Sequence, residues 1–134
     1  MSNEITVVAQ VQVNNVNLQD ISQPKSFQAD QATANGPSPG AVTATTGGTN
    51  VSFAQLTLPG ICTLHNCDQN NYVSYGLYET GSPGVFRPFG ELLPGETNIV
   101  RFSRTLLTAN AGADVLRLVA HSASVVVLVK CLDT

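Results

Sequence analysis

Ile5, Val7, Ala9, Val11 and Val13 occupy alternate positions, with Thr6, Gln10 and Gln12 between them. A period of two sets one strand face on a core and the other in water, so this is the clearest amphipathic strand in the chain. Asn14-Asn15 is expected to turn or bulge it, because Asn tolerates left-handed dihedrals, with Val16 and Leu18 continuing beyond. Gln19 to Pro24 reads as a loop, and Ser26 to Thr33 as an edge strand or extended arm with little beyond Phe27 to bury. Asn35 to Gly48 concentrates glycine and proline and is expected to be a flexible surface loop or arm, with at most a brief strand at Ala41 to Thr45. Val51, Phe53 and Gln55 alternate as a further strand before Leu58-Pro59-Gly60 turns the chain.

The most regular stretch runs from Pro59 to Arg104. It predicts strands over Ile61–His65, Tyr72–Leu77 and Asn98–Phe102, with a polar turn at Asn66 to Asn71 and a Pro-Gly turn at Pro94-Gly95. Thr105 to Ala113 is polar and small and holds one helical turn at most. Leu116, Leu118 and Ala120 alternate again, Ser122-Ala123 turns the chain, and Ser124 to Leu132 reads as a central strand apolar on both faces. Short strands separated by turn signals, with no internal repeat, indicate an all-β fold: a single-domain antiparallel β-sandwich or jelly roll over residues 1–134, with an extended N-terminal strand.

At 134 residues the chain can bury a real core without staples. Charged residues are only 11%, against an ordinary ~25%. Asn, Gln, Thr and Ser fill the polar positions instead, which suits a surface that makes contacts, the plain alternative being a neutral soluble monomer. The formal net charge is -3 and the six cations are dispersed, so no cluster neutralises a run of phosphates and nucleic-acid binding is disfavoured. The longest apolar run, Val125 to Val129, is far short of a membrane span, and no basic-then-apolar signal region opens the chain. Synthesis in the cytoplasm, no membrane partner and three reduced cysteines are the corresponding expectations.

Cys62, His65, Cys67, His121 and Cys131 are all the soft ligands present, and their spacing argues against a zinc site. Cys62 and Cys67 lie on opposite strand faces, and no Cys-x-x-Cys pair exists. Cys62 and Cys131 fit one core, but spacing alone does not pair them. Asp68 to Glu79 resembles a calcium loop only superficially, since Tyr72 and Val73 stand where an oxygen ligand and a glycine are needed; an Asp/Asn-stabilised turn is the better reading. His65 and His121 lie in no nucleophile motif, and Glu91 and Glu96 flanking the Pro-Gly turn read as solvated turn residues. No catalytic, cofactor-binding or metal-binding residue is therefore assigned, and the expectation is a protein without enzymatic activity. Tyr72, Tyr75, Tyr78, Phe86 and Phe89 form the one aromatic concentration, with Tyr72 and Tyr78 on one strand face and Tyr75 on the other. They suit a sugar-binding surface, a subunit contact, or the ordinary core and rim of a sandwich.

Leu64-His65-Asn66-Cys67-Asp68, Asn71-Tyr72-Val73, Gly76, Pro88-Phe89-Gly90, Leu92, Pro94-Gly95-Glu96 and Arg101-Phe102 together resemble small β-sandwich proteins encoded among the virion genes of tailed bacteriophages. Asn15 with Leu18, Asp30-Gln31-Ala32-Thr33 and Leu116 to Leu132 extend the likeness, while Thr105 to Ala113 and the three cysteines depart from it. The resemblance implies a virion component, best a capsid decoration (cement) protein. Such a protein sits on the shell as a trimer or dimer and ties the major capsid protein together. A tail, neck or adaptor protein, or a carbohydrate-binding module, is the alternative.

Overall fold

The computed structural model describes residues 5–9, 25–33, 36–103 and 114–134. All regular structure in them is β-strand, and every strand pairing is antiparallel. The chain divides into two units, Met1–Ala32 and Thr33–Thr134.

The first unit carries a two-stranded ribbon of β1 (Ile5–Ala9) and β2 (Lys25–Ala29). Val7 stands opposite Phe27 and Ile5 opposite Ala29, so these four share one face of the ribbon and Thr6, Val8, Ser26 and Gln28 share the other. The strand expected at Ile5 to Val13 is present over Ile5–Ala9, and the edge strand expected at Ser26 to Thr33 is β2. The expected continuation through Val16 and Leu18, the loop at Gln19 to Pro24 and the helical turn at Thr105 to Ala113 lie outside the described residues.

The second unit is a sandwich of two four-stranded sheets. Its strands are β3 (Ser38–Ala44), β4 (Thr49–Asn50), β5 (Pro59–Asn66), β6 (Val73–Glu79), β7 (Val85–Leu92), β8 (Thr97–Arg101), β9 (Asp114–Ala120) and β10 (Val125–Asp133). One sheet has the order β3-β10-β5-β8 and the other β4-β9-β6-β7. Alternation decides what each buries. Val125, Val127, Val129 and Cys131 of β10 and Cys62 and Leu64 of β5 face inward onto Leu116, Leu118 and Ala120 of β9, with Val73, Tyr75 and Leu92 closing the cluster. Each such Val or Leu contributes about 1.5–3 kcal/mol of burial.

Three expectations change. The Asn35 to Gly48 stretch, expected to be a loop or arm with at most a brief strand at Ala41 to Thr45, supplies the longer, seven-residue strand β3, paired with β10 from Val125↔Ala44 to Cys131↔Ser38. The stretch at Val51 to Gln55 holds no strand beyond β4. Val51 makes one last ladder bond to Leu116 O (2.8 Å), and a turn closes from Leu56 N–H to Phe53 O (2.9 Å). β10 is central, as expected, but only its inner face is buried; Val126 on the outer face is 42% exposed, because two layers leave each sheet one face in water. A strand absent from the expected set, β7, spans Val85–Leu92 and includes Pro88 and Gly90, residue types that disfavour a strand interior.

The Pro-Gly turn joins β7 to β8. Glu96 N–H donates to Leu93 O (3.0 Å), and Gly95 adopts φ 78°, the left-handed dihedral required at the third position of a type II turn.

Candidate interaction surface

The polar end of β5 is organised by Asn66. Fully buried, it donates through Nδ2 to the carbonyls of Asn71 (2.9 Å), Leu93 (3.1 Å) and Leu92 (3.2 Å), while its Oδ1 accepts from Asp68 N–H (2.9 Å). Asp68 Oδ1 in turn accepts the N–H groups of Asn70 and Asn71, both at 2.7 Å. These bonds, Asn70 first, hold the Asp68 carboxyl below the usual carboxylate range. The segment is thus a hydrogen-bonded turn, and its acidic oxygen is occupied by backbone donors. Glu96 caps the next turn through Leu93 N–H (2.8 Å), while Glu91 is exposed on β7.

The five aromatic residues do not form one surface. Tyr75 points into the core and is 4% exposed. Its ring meets Phe89 edge-on at 5.3 Å, and its hydroxyl accepts from Asn98 Nδ2 (2.5 Å), tying β6 to β8 of the opposite sheet. Phe89 is the extra residue where the β6–β7 register shifts between Tyr75 and Gly76, and it is 52% exposed. Tyr78 and Phe86 stand opposite one another on the outer face, with the Arg117 guanidinium 4.0 Å above the Tyr78 ring. Arg117 also donates to Gly47 O (2.8 Å). Tyr72 lies at the other end, stacked on His121 at 4.0 Å. It is six positions from Tyr78, roughly 20 Å along a strand. Tyr72 and Tyr78 share the outer face and Tyr75 opposes them, as the alternation requires. Burial of Tyr75 and the guanidinium over Tyr78 nevertheless leave no continuous stacking platform.

The remaining candidate residues are also dispersed. Ser74 Oγ and His121 Nε2 share a hydrogen bond of 2.8 Å, and His65 Nδ1 and Thr97 Oγ1 share one of 2.7 Å on the other sheet. Glu79 receives Arg87 Nε at 2.7 Å, and that hydrogen bond holds its carboxyl below the ordinary range. Among the described residues, no three His, Cys, Asp or Glu side chains converge as a metal site.

The reduced state expected for the cysteines is corrected at two of them. Cys62 and Cys131 form a disulfide, and Cys67 alone is free and exposed. The reason is register. Cys62 lies opposite Cys131 across β5 and β10, at a pair that exchanges no backbone bonds and therefore brings its Cα atoms close, here to 4.0 Å.

Asp133, which the sequence did not single out, organises the other end of β5. Fully buried, it accepts from Thr33 Oγ1 (2.5 Å), Leu58 N–H (2.9 Å) and Thr57 N–H (3.1 Å). Burial pushes its carboxyl up, but the bonds from Thr33, Leu58 and Thr57 together hold it below the ordinary value. Only its position beside the central strand's end would have signalled it.

What the sandwich does offer is the outer face of the β3-β10-β5-β8 sheet. By register it carries Thr43, Ala41, Val126, Leu128, Thr63, Thr97 and Ile99, with two cations, Lys130 and Arg101, and His65 among them. No protein family, characterised protein or solved structure matches the chain.

Proposed function

We propose that this chain is a non-enzymatic structural protein of a tailed-bacteriophage virion, a capsid decoration protein that binds the assembled major capsid protein and stabilises the shell. The observation that carries the reading is the outer face of the β3-β10-β5-β8 sheet. It has no acidic residue by register, two cations, Lys130 and Arg101, and a mixture of Thr and aliphatic side chains, with Val126 and Ile99 both more than two-fifths exposed. A face of aliphatic and hydroxyl side chains with few charges has the composition of an interface centre. The hydrogen-bonded turns and buried carboxylate give rigid ends to that face. The likeness of the Leu64–Asp68, Pro88–Gly90 and Pro94–Glu96 segments to small virion sandwiches supports the same reading. On this proposal the protein is made in the host cytoplasm and ends in the virion.

The test is co-sedimentation with mature heads and with free capsid subunits of the phage that encodes it. Binding to heads alone, lost in Val126→Asp and Leu128→Asp but kept in Arg117→Ala, is the expected result. No association with heads removes the decoration role, and association with isolated tails in its place moves the protein to the tail or neck.

A further inference from the structure

The two four-stranded sheets have four edge strands, β3, β4, β7 and β8, and their treatment differs. An exposed edge is a row of unpaired N–H and C=O groups that recruits another strand unless something blocks it.

The ladder bonds show which residues face each open side. Phe102 N–H donates to Gly60 O and Asn66 N–H to Glu96 O, both at 2.9 Å. The even-numbered residues of β8 therefore bond to β5, and the backbone groups of Thr97, Ile99 and Arg101 point to the open side. The same bookkeeping, carried through the β5–β10 and β6–β9 registers, places Pro39 and Pro88 at outward positions of β3 and β7. Proline has no N–H to offer, so both edges are interrupted, and β7 is further broken by the bulge at Phe89. β4 has only two residues. Among the described residues, β8 is the one edge strand that is regular, free of proline and longer than a two-residue bridge.

Of the seven large apolar residues most exposed among the described residues, four lie along the β7–β8 side: Val85, Phe89, Leu93 and Ile99.

We infer that β8 pairs with β8 of a second copy of this chain, antiparallel about a two-fold axis at Ile99, joining two β3-β10-β5-β8 sheets into one continuous sheet. The strand is self-complementary in that register. Ile99 meets Ile99 of the partner copy and Thr97 meets Arg101 at each end, so the whole strand lies flush. All three outward-facing residues find narrow pairs, each exchanging two backbone bonds. Arg101 faces a threonine and never its own copy, which avoids like-charge opposition. This pairing is independent of the capsid-binding proposal, since it concerns the free protein.

The experiment is sedimentation equilibrium on the full chain at micromolar concentration. Wild type should run at twice the chain mass, and Ile99→Lys, which sets two ammonium groups face to face, at the chain mass with an unchanged circular dichroism spectrum. Val126→Lys, on the same outer face but away from the edge, should remain dimeric. In a Cys67→Ser background, Ile99→Cys should give a covalent dimer on mild oxidation, reversed by reductant. A monomeric wild type, a dimer surviving Ile99→Lys, a dimer broken by Val126→Lys, or absence of the Ile99→Cys cross-link would each overturn the inference.

Discussion

Asn66 and Asp133 stand at opposite ends of β5, roughly 23 Å apart by strand rise, and both are fully buried. One is an amide and the other a carboxylate of almost the same shape. Around Asn66 the loop backbones present carbonyls, those of Asn71, Leu92 and Leu93. Around Asp133 they present N–H groups, those of Thr57 and Leu58, with the Thr33 hydroxyl beside them. The polarity of the orphaned backbone thus selects the side chain, because a buried group without a complementary partner costs its full desolvation.

The sharpest way to break this comparison is to exchange the chemistry at constant shape. Asn66→Asp sets carboxylate oxygens against three carbonyls and should cost about 4 kcal/mol, as an uncompensated buried charge does. Urea unfolding at neutral pH reads it, and a loss below 1 kcal/mol would contradict the donor role assigned to Nδ2.

Removing the Cys62–Cys131 link should come next, at about 3 kcal/mol for the double Cys→Ala variant. Cys131 lies two residues from Asp133, so hydrogen exchange should quicken at Leu58 more than at Asp68; equal acceleration at both amides would show that the two ends are not independently held.

Asp133→Asn should cost about 2 kcal/mol, since it gives up a charged acceptor. The carboxyl is held below its ordinary value in the fold, so the folded state binds its proton less readily than the unfolded chain. Its contribution is complete above the ordinary carboxylate value and is lost as pH falls through the lowered one. Acid titration of stability should therefore be steeper in wild type than in Asp133→Asn; parallel curves would count against it.

Tyr75→Phe gives the smallest effect, about 1 kcal/mol, because it deletes one neutral hydrogen bond from Asn98 and leaves the ring in place. A thermal melt unchanged from wild type would mean that the cross-sheet bond carries no net stability.

Much of the sandwich was legible from local pattern. β5, β6, β8, β9 and β10 follow apolar runs bounded by turn residues, and the Asp68 and Pro94-Gly95 turns follow from side chains that bond or bend their own backbone. β7 and the start of β3 were hidden by Pro88, Gly90, Pro39 and Gly40, residue types that disfavour a strand interior. Proline is compatible with a strand when its missing donor faces an open edge, and edge position is a property of the sheet. The Val51 to Gln55 strand failed for the converse reason: alternation was present, but the chain bends away after one further bond to β9. The aromatic set was visible as residues and illegible as a surface, since burial of Tyr75 depends on the neighbouring Gly90 and on Asn98 from the opposite sheet.

By itself the chain determined its alternation, its turns and the scarcity of charge on its exterior, all of which depend on neighbours a few residues away. Which strands lie side by side, which cysteines meet, where Asp133 finds its donors and which edge stays open were decided only in the folded molecule. Those outcomes depend on register between segments up to a hundred residues apart, as Thr33 and Asp133 are, and a register shift of one residue turns every side chain to the other face.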